Sequence, residues 1–218
     1  MSETIAATTN SHSTHRRRKI QAVLAAGAVL GIGAAVTLAN WSDSVFTQGQ
    51  FGSSAFGLEG SASGAAESFT SHEDATDAVS LPFDAADMAP NSTVYAPYWV
   101  RLTAESTVPG VIAGEGGISI ESPAGNPNTG NLGYTVYALD SDGACDTSGV
   151  AGATAIASAN TFASGPASGP GSETLAPGED SAAGEAVQLC FEVTAGEDLV
   201  QGETTNALWT ITATSVND

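Results

Sequence analysis

Few side chains in this 218-residue chain are of types that do chemistry, and their spacing decides what chemistry is open. There are three histidines, His12, His15 and His72, and two cysteines, Cys145 and Cys190. A zinc protease needs nitrogen or sulfur ligands close together, as in HExxH on a helix. His72, inside SFTSHEDATD, has no such partner, and the other two histidines lie far upstream. The same count removes Ser-His-Asp and paired Cys-His catalysis. His72 is therefore expected at the surface, and no catalytic residue, metal ligand or cofactor is assigned. Asp140, Asp142 and Asp146 in DSDGACD offer oxygens to Ca²⁺. Their spacing departs from an EF-hand loop and lacks the glutamate at its twelfth position, so a solvated turn is expected. No carboxylate pair is singled out for glycoside hydrolysis.

Four of the five basic residues, Arg16 to Lys19, precede an uncharged apolar run from Ile20 to Ala39. A basic region, an apolar region and a Thr37-Leu38-Ala39 ending make a secretory signal peptide, with cleavage at Ala39 or Asn40. A run of this length, about 20 residues, also just suffices to span a bilayer as an uncleaved anchor. Its Gly and Ala content makes it weakly hydrophobic, which favours the signal. On either reading the remainder is exported, and it meets a membrane only through this segment. In an oxidising setting Cys145 and Cys190 are expected to pair. The bridge would stabilise the fold by ~4 kcal/mol on the loop-entropy estimate.

Export also changes the charge balance. Of 24 acidic residues only Glu3 precedes Asn40, and of five basic residues only Arg101 follows it. The exported part, residues 40–218, thus carries a net charge of −22. Nucleic acid and anionic lipid need Lys or Arg to neutralise phosphate, so neither is a partner. With no lysine after Lys19, lysine isopeptide cross-links are excluded, and any polymer is non-covalent or joined through cysteine.

The elements that would position these residues read as strands. Residues 40–55 form an N-terminal segment, and 56–218 one domain large enough for a sizeable core. Apolar residues alternate with period two in five runs. These are Val79–Phe83, Val94–Leu102, Leu132–Ala138, Val187–Val193 and Ala207–Ala213. Phe56–Gly60 and Ile118–Glu121 are weaker candidates. Ala151–Ala159 reads as one short helix, and the Gly/Pro/Ser-rich stretch Ser164–Gly184 as a long mobile loop. Cys190 is expected to point away from the apolar row Val187, Leu189, Phe191 and Val193. The fold class is all-β, a single antiparallel β-sandwich of jelly-roll type. Tyr95, Trp99 and Arg101 share the outer face of one strand. Two possibilities stand side by side there: an interface that binds a partner or a sugar, or a face covered by a loop.

Arg16 to Gly60, with RRRK, GAVLGIGAAVTLA, Asn40-Trp41-Ser42-Asp43 and FGLEG, resembles proteins processed by a SipW-type signal peptidase. LPF, TVYAPYWVRL, YTVYALD, CFEVTAG and ALWTITATS are similar to the actinobacterial branch of the TasA/camelysin family. The resemblance covers most of residues 16–216 and implies jelly-roll subunits of extracellular fibres that support a biofilm matrix. Camelysin-like relatives carry a metallopeptidase label, which the histidine count argues against transferring. The leading expectation is therefore a secreted, self-associating structural protein. Strand donation by the segment from Trp41 to Phe51, which includes Phe46, is the expected mode of assembly. The alternative is a carbohydrate- or surface-binding module using Tyr95 and Trp99, and an acidic hydrolase has the least support.

Overall fold

The computed structural model describes residues 55–85, 88–122, 125–164, 169 and 171–216. The chain divides into two units, Met1–Phe51 and Gly52–Asp218, and all described residues belong to the second. The signal segment, the Ala39–Asn40 cleavage point, Trp41 and Phe46 lie outside the described residues.

The described chain is all-β, built from antiparallel sheets with four 3-10 turns between strands. Ten strands form: β1 Leu58–Ser61, β2 Thr93–Leu102, β3 Gly110–Ala113, β4 Ile118–Glu121 and β5 Leu132–Leu139. β6 Ala155–Ala159, β7 Ser172–Leu175, β8 Val187–Ala195, β9 Leu208–Ile211 and β10 Thr214–Ser215 follow. One layer is a five-stranded sheet in the order β1-β2-β8-β5-β6. Placing β8 between β2 and β5 is the kind of non-sequential order that jelly-roll winding produces.

The second layer is made of β10-β3-β7 and β4-β9. These two pieces are nearly continuous. Thr214 pairs with Val111 and Ile211 with Ile118, while the Thr212 N–H donates to the Gly117 carbonyl at 2.7 Å. β3 and β4 are thus two parts of one line, parted by a short excursion at Gly114–Gly117. A side chain at Gly117 would put Cβ 2.1 Å from the Ala113 carbonyl oxygen, so the excursion needs glycine there.

Period-two patterning explains why the layers pack. Val100 and Leu102 of β2, Leu132, Tyr134 and Val136 of β5, and Leu189, Phe191 and Val193 of β8 all point inward and are buried. Ile112, Ile118, Ile120 and Leu175 answer from the second layer. Each such side chain stabilises the sandwich by ~1.5–3 kcal/mol through removal from water. The alternate residues Thr210, Thr212 and Thr214 are exposed, which the expected solvated face requires.

Three expectations are corrected. Val79–Phe83 forms no strand, although Leu81 and Phe83 still pack against the core. Pro82 lies within it, one residue from its end, and has no N–H for a ladder. The expected helix at Ala151–Ala159 is a turn followed by β6, whose Ile156 and Ala157 are fully buried. Tertiary pairing with β5 overrides the helix preference of its alanines. The expected mobile loop Ser164–Gly184 contains β7, which pairs with β3 and buries Leu175 completely.

Candidate functional site

Two surfaces concentrate the features that carry function. The first is the outer face of the five-stranded sheet. Tyr95 lies opposite Glu192, Pro97 opposite Cys190 and Trp99 opposite Gln188, so the β2 aromatics flank the β8 cysteine. Cys190 does turn away from the inner apolar row, and it forms the expected disulfide with Cys145 at a Cα–Cα distance of 5.3 Å. It is nevertheless fully buried rather than at the surface. The reason is the segment Asp140–Ala153, which the bridge ties down over this face.

That cover is pinned by more than sulfur. The Trp99 indole N–H donates to the Ser141 carbonyl at 2.8 Å, and the Thr147 hydroxyl donates to the Tyr95 hydroxyl at 3.3 Å. The Asp146 carboxylate accepts from the Ser148 N–H, the Ser148 hydroxyl and the Gly149 N–H at 2.8, 2.6 and 2.9 Å. These bonds, led by the Ser148 hydroxyl, hold its pKa below the ordinary carboxylate value. The Tyr95 hydroxyl is pushed up, first by burial, with the Glu192 carboxylate adding to it against the bond from Thr147.

Arg101 is equally engaged. It pairs across strands with Glu59 at 2.5 Å, and its guanidinium stacks 4.0 Å above the Phe69 ring. Gly64, at φ +69°, backs onto the Trp99 ring so closely that a Cβ would lie 2.8 Å from it. Tyr95, Trp99 and Arg101 are therefore brought together on one face and half-buried under chain segments. All three make contacts with other segments of the chain and stay partly exposed.

The acidic turn and His72 do not converge on anything. Among the described residues no group of three or more His, Cys, Asp or Glu side chains is placed to hold a metal ion. His72 Nε2 lies 2.8 Å from the Thr70 hydroxyl, in a local contact two residues away.

The second surface was not foreseen. A cleft of about 1350 Å³ opens between the inner face of the five-stranded sheet and β9. Val94, Tyr98, Phe191 and Val193 line its floor, and Trp209 stands at the β9 side. Its other walls are Ala78–Phe83 and the segment from Leu199 to Ala207. The latter wall is clamped by Asn128, almost wholly buried. Its side-chain N–H donates to the Val200 carbonyl at 3.0 Å, and its carbonyl accepts from the Val200 N–H at 2.8 Å.

Among the described residues β9 pairs with β4 alone, so its other edge faces the cleft without a ladder from any of them. Trp209 is the hub of an aromatic cluster, with Phe191, Phe162, Phe83 and Tyr134 centroids 5.4 to 6.0 Å away. The Trp209 indole N–H and the Tyr134 hydroxyl are buried without a hydrogen-bond partner among the described residues. Burial pushes the Tyr134 hydroxyl up to about 12. Among the described residues the cleft thus offers both apolar and polar surface, a strand edge without a ladder and two buried polar groups without a partner. In the sequence its signals were the alternating rows Ala207–Ala213 and Val79–Phe83, each of which was read only as a strand.

No protein-family model and no curated protein matches the chain. The site's chemistry has to be judged on its own geometry.

Proposed function

We propose that this chain is an exported, non-enzymatic structural protein of the cell surface or biofilm matrix. It assembles non-covalently by accepting an extended strand from a second copy. One observation carries this reading: an edge of β9 that has no ladder partner among the described residues borders a large cleft with apolar side chains on its floor. An added strand would continue the β4-β9 ladder with its backbone and fill the cleft with alternate side chains. The segment from Trp41 to Phe51 is the donor in this proposal, because export and cleavage by a SipW-type signal peptidase would free it. A resemblance to TasA/camelysin proteins over the signal and strand motifs supports the same role. The disulfide accords with an oxidising, extracellular location. A sugar-binding role for Tyr95, Trp99 and Arg101 has less support, since all three are engaged within the chain.

Comparing the chain from Trp41 onward with one that begins at Gly52 tests the proposal. Light scattering should show oligomers for the longer form and monomers for the shorter, with the same far-ultraviolet β signature. Oligomers of equal size in both would remove strand donation, and monomers throughout would remove self-association.

A further inference from the structure

Ala78 to Phe83 has the side-chain alternation of a strand without the backbone of one. Leu81 and Phe83 turn toward the core, and the Phe83 ring lies 5.9 Å from Trp209, while Ser80 and Pro82 are exposed. Among the described residues, the backbone of Val79–Phe83 makes one hydrogen bond to other backbone, from the Phe83 N–H to the Leu81 carbonyl. None reaches β9, whose ladder runs to β4 alone. The segment therefore covers part of the cleft with side chains and, among the described residues, gives the strand edge beside it no backbone partner. Pro82 contributes to this, because it has no N–H to donate to a ladder.

We propose that Ala78–Phe83 is a placeholder strap, an autoinhibitory contact that shields the cleft in the monomer and is displaced when a second copy adds its strand to β9. This rests on the strand-addition reading above and adds its regulation. An incoming strand supplies the same kind of apolar contacts and, in addition, the backbone ladder that the strap lacks. Exchange therefore runs toward assembly once an incoming strand arrives, and the strap sets how long the monomer persists. Its upstream end is suited to swinging away. The strap follows the isolated 3-10 turn Ala75–Asp77, which is capped locally by the Asp74 carboxylate accepting from the Thr76 N–H at 3.1 Å.

The test uses the chain from Trp41 onward and two substitutions with opposite expected effects. Phe83→Ala weakens the strap, and assembly followed by light scattering should become about tenfold faster, the factor equivalent to ~1.4 kcal/mol of lost side-chain burial. Pro82→Val supplies an N–H and a β-branched residue, so the strap can ladder onto β9 within one chain. Its assembly should be slower by a similar factor. Equal rates for wild type and both variants would overturn the strap while leaving strand addition intact. Failure of the wild type itself to assemble at any salt concentration would remove the docking reading and the strap's role together. Should Phe83→Ala lose its thermal unfolding transition, Pro82→Val alone decides, and a rate equal to or above wild type overturns the proposal.

Discussion

Asp146 and the cysteine beside it show how much one turn does for the outer face. The Asp146 carboxylate collects three donors from Ser148 and Gly149, and its lowered pKa follows from bonding of the charged form. A group whose folded pKa is depressed contributes order that is fully present above its ordinary value of 3.8 and is lost as pH falls through the folded value. The Ser148 and Gly149 amide resonances should therefore titrate with a midpoint below 3.8, and Asp146→Ala should abolish that transition. Next to it, the Cys145–Cys190 bridge closes a 45-residue separation. Replacing both cysteines by serine should lower the unfolding free energy by ~4 kcal/mol in a denaturant titration. It should also shift the Trp99 emission to the red, because the Asp140–Ala153 cover that takes its indole hydrogen bond is no longer tied down. An unchanged emission in a variant lacking the other tryptophans would mean that hydrogen bonds alone hold the cover.

At the scale of elements, the strands legible in sequence are those with one wet and one dry face. β2, β5 and β8 have long alternating rows, and their inward residues are the ones found in the core. β3, β6 and β7 escaped because they are short and rich in Gly, Ala, Ser or Thr. Their pairing depends on partners far along the chain, such as Val111 with Thr174 and Val136 with Ala157. Propensity is weak there, and the neighbour decides. β7 supplies a direct check. Leu175 is fully buried inside what composition reads as a loop, so Leu175→Ala should cost ~2–5 kcal/mol in a thermal or chemical melt. A loss within experimental error would restore the view that this stretch is dispensable for folding.

For the molecule as a whole, charge would set the conditions of the proposed assembly. A net charge of −22 on residues 40–218 opposes the close approach of two copies at low ionic strength. Screening shortens the reach of that repulsion to ~10 Å at 0.1 M salt and ~3 Å at 1 M. Oligomers of the chain from Trp41 onward should therefore grow with added salt, and Ca²⁺ should act at lower concentration than a monovalent salt of equal ionic strength. Sedimentation across both series checks this. Oligomers that shrink as salt rises would show that attraction between opposite charges, rather than strand addition against repulsion, drives association.

The sequence by itself determined the all-β class, the inward rows of the long strands and the disulfide between Cys145 and Cys190. Each follows from local chemistry: period-two alternation buries one face, and the chain's two cysteines have only each other to pair with. The tertiary structure alone decided that Tyr95, Trp99 and Arg101 are partly covered, since the cover comes from Asp140–Ala153 and from the residues around Gly64 and Phe69. It alone decided that Val79–Phe83 lines the same cleft as β9 without joining its ladder. An alternating pattern states which side chains seek burial. Whether its backbone finds a ladder depends on which edges the rest of the chain leaves free, and that is settled only when the layers have packed.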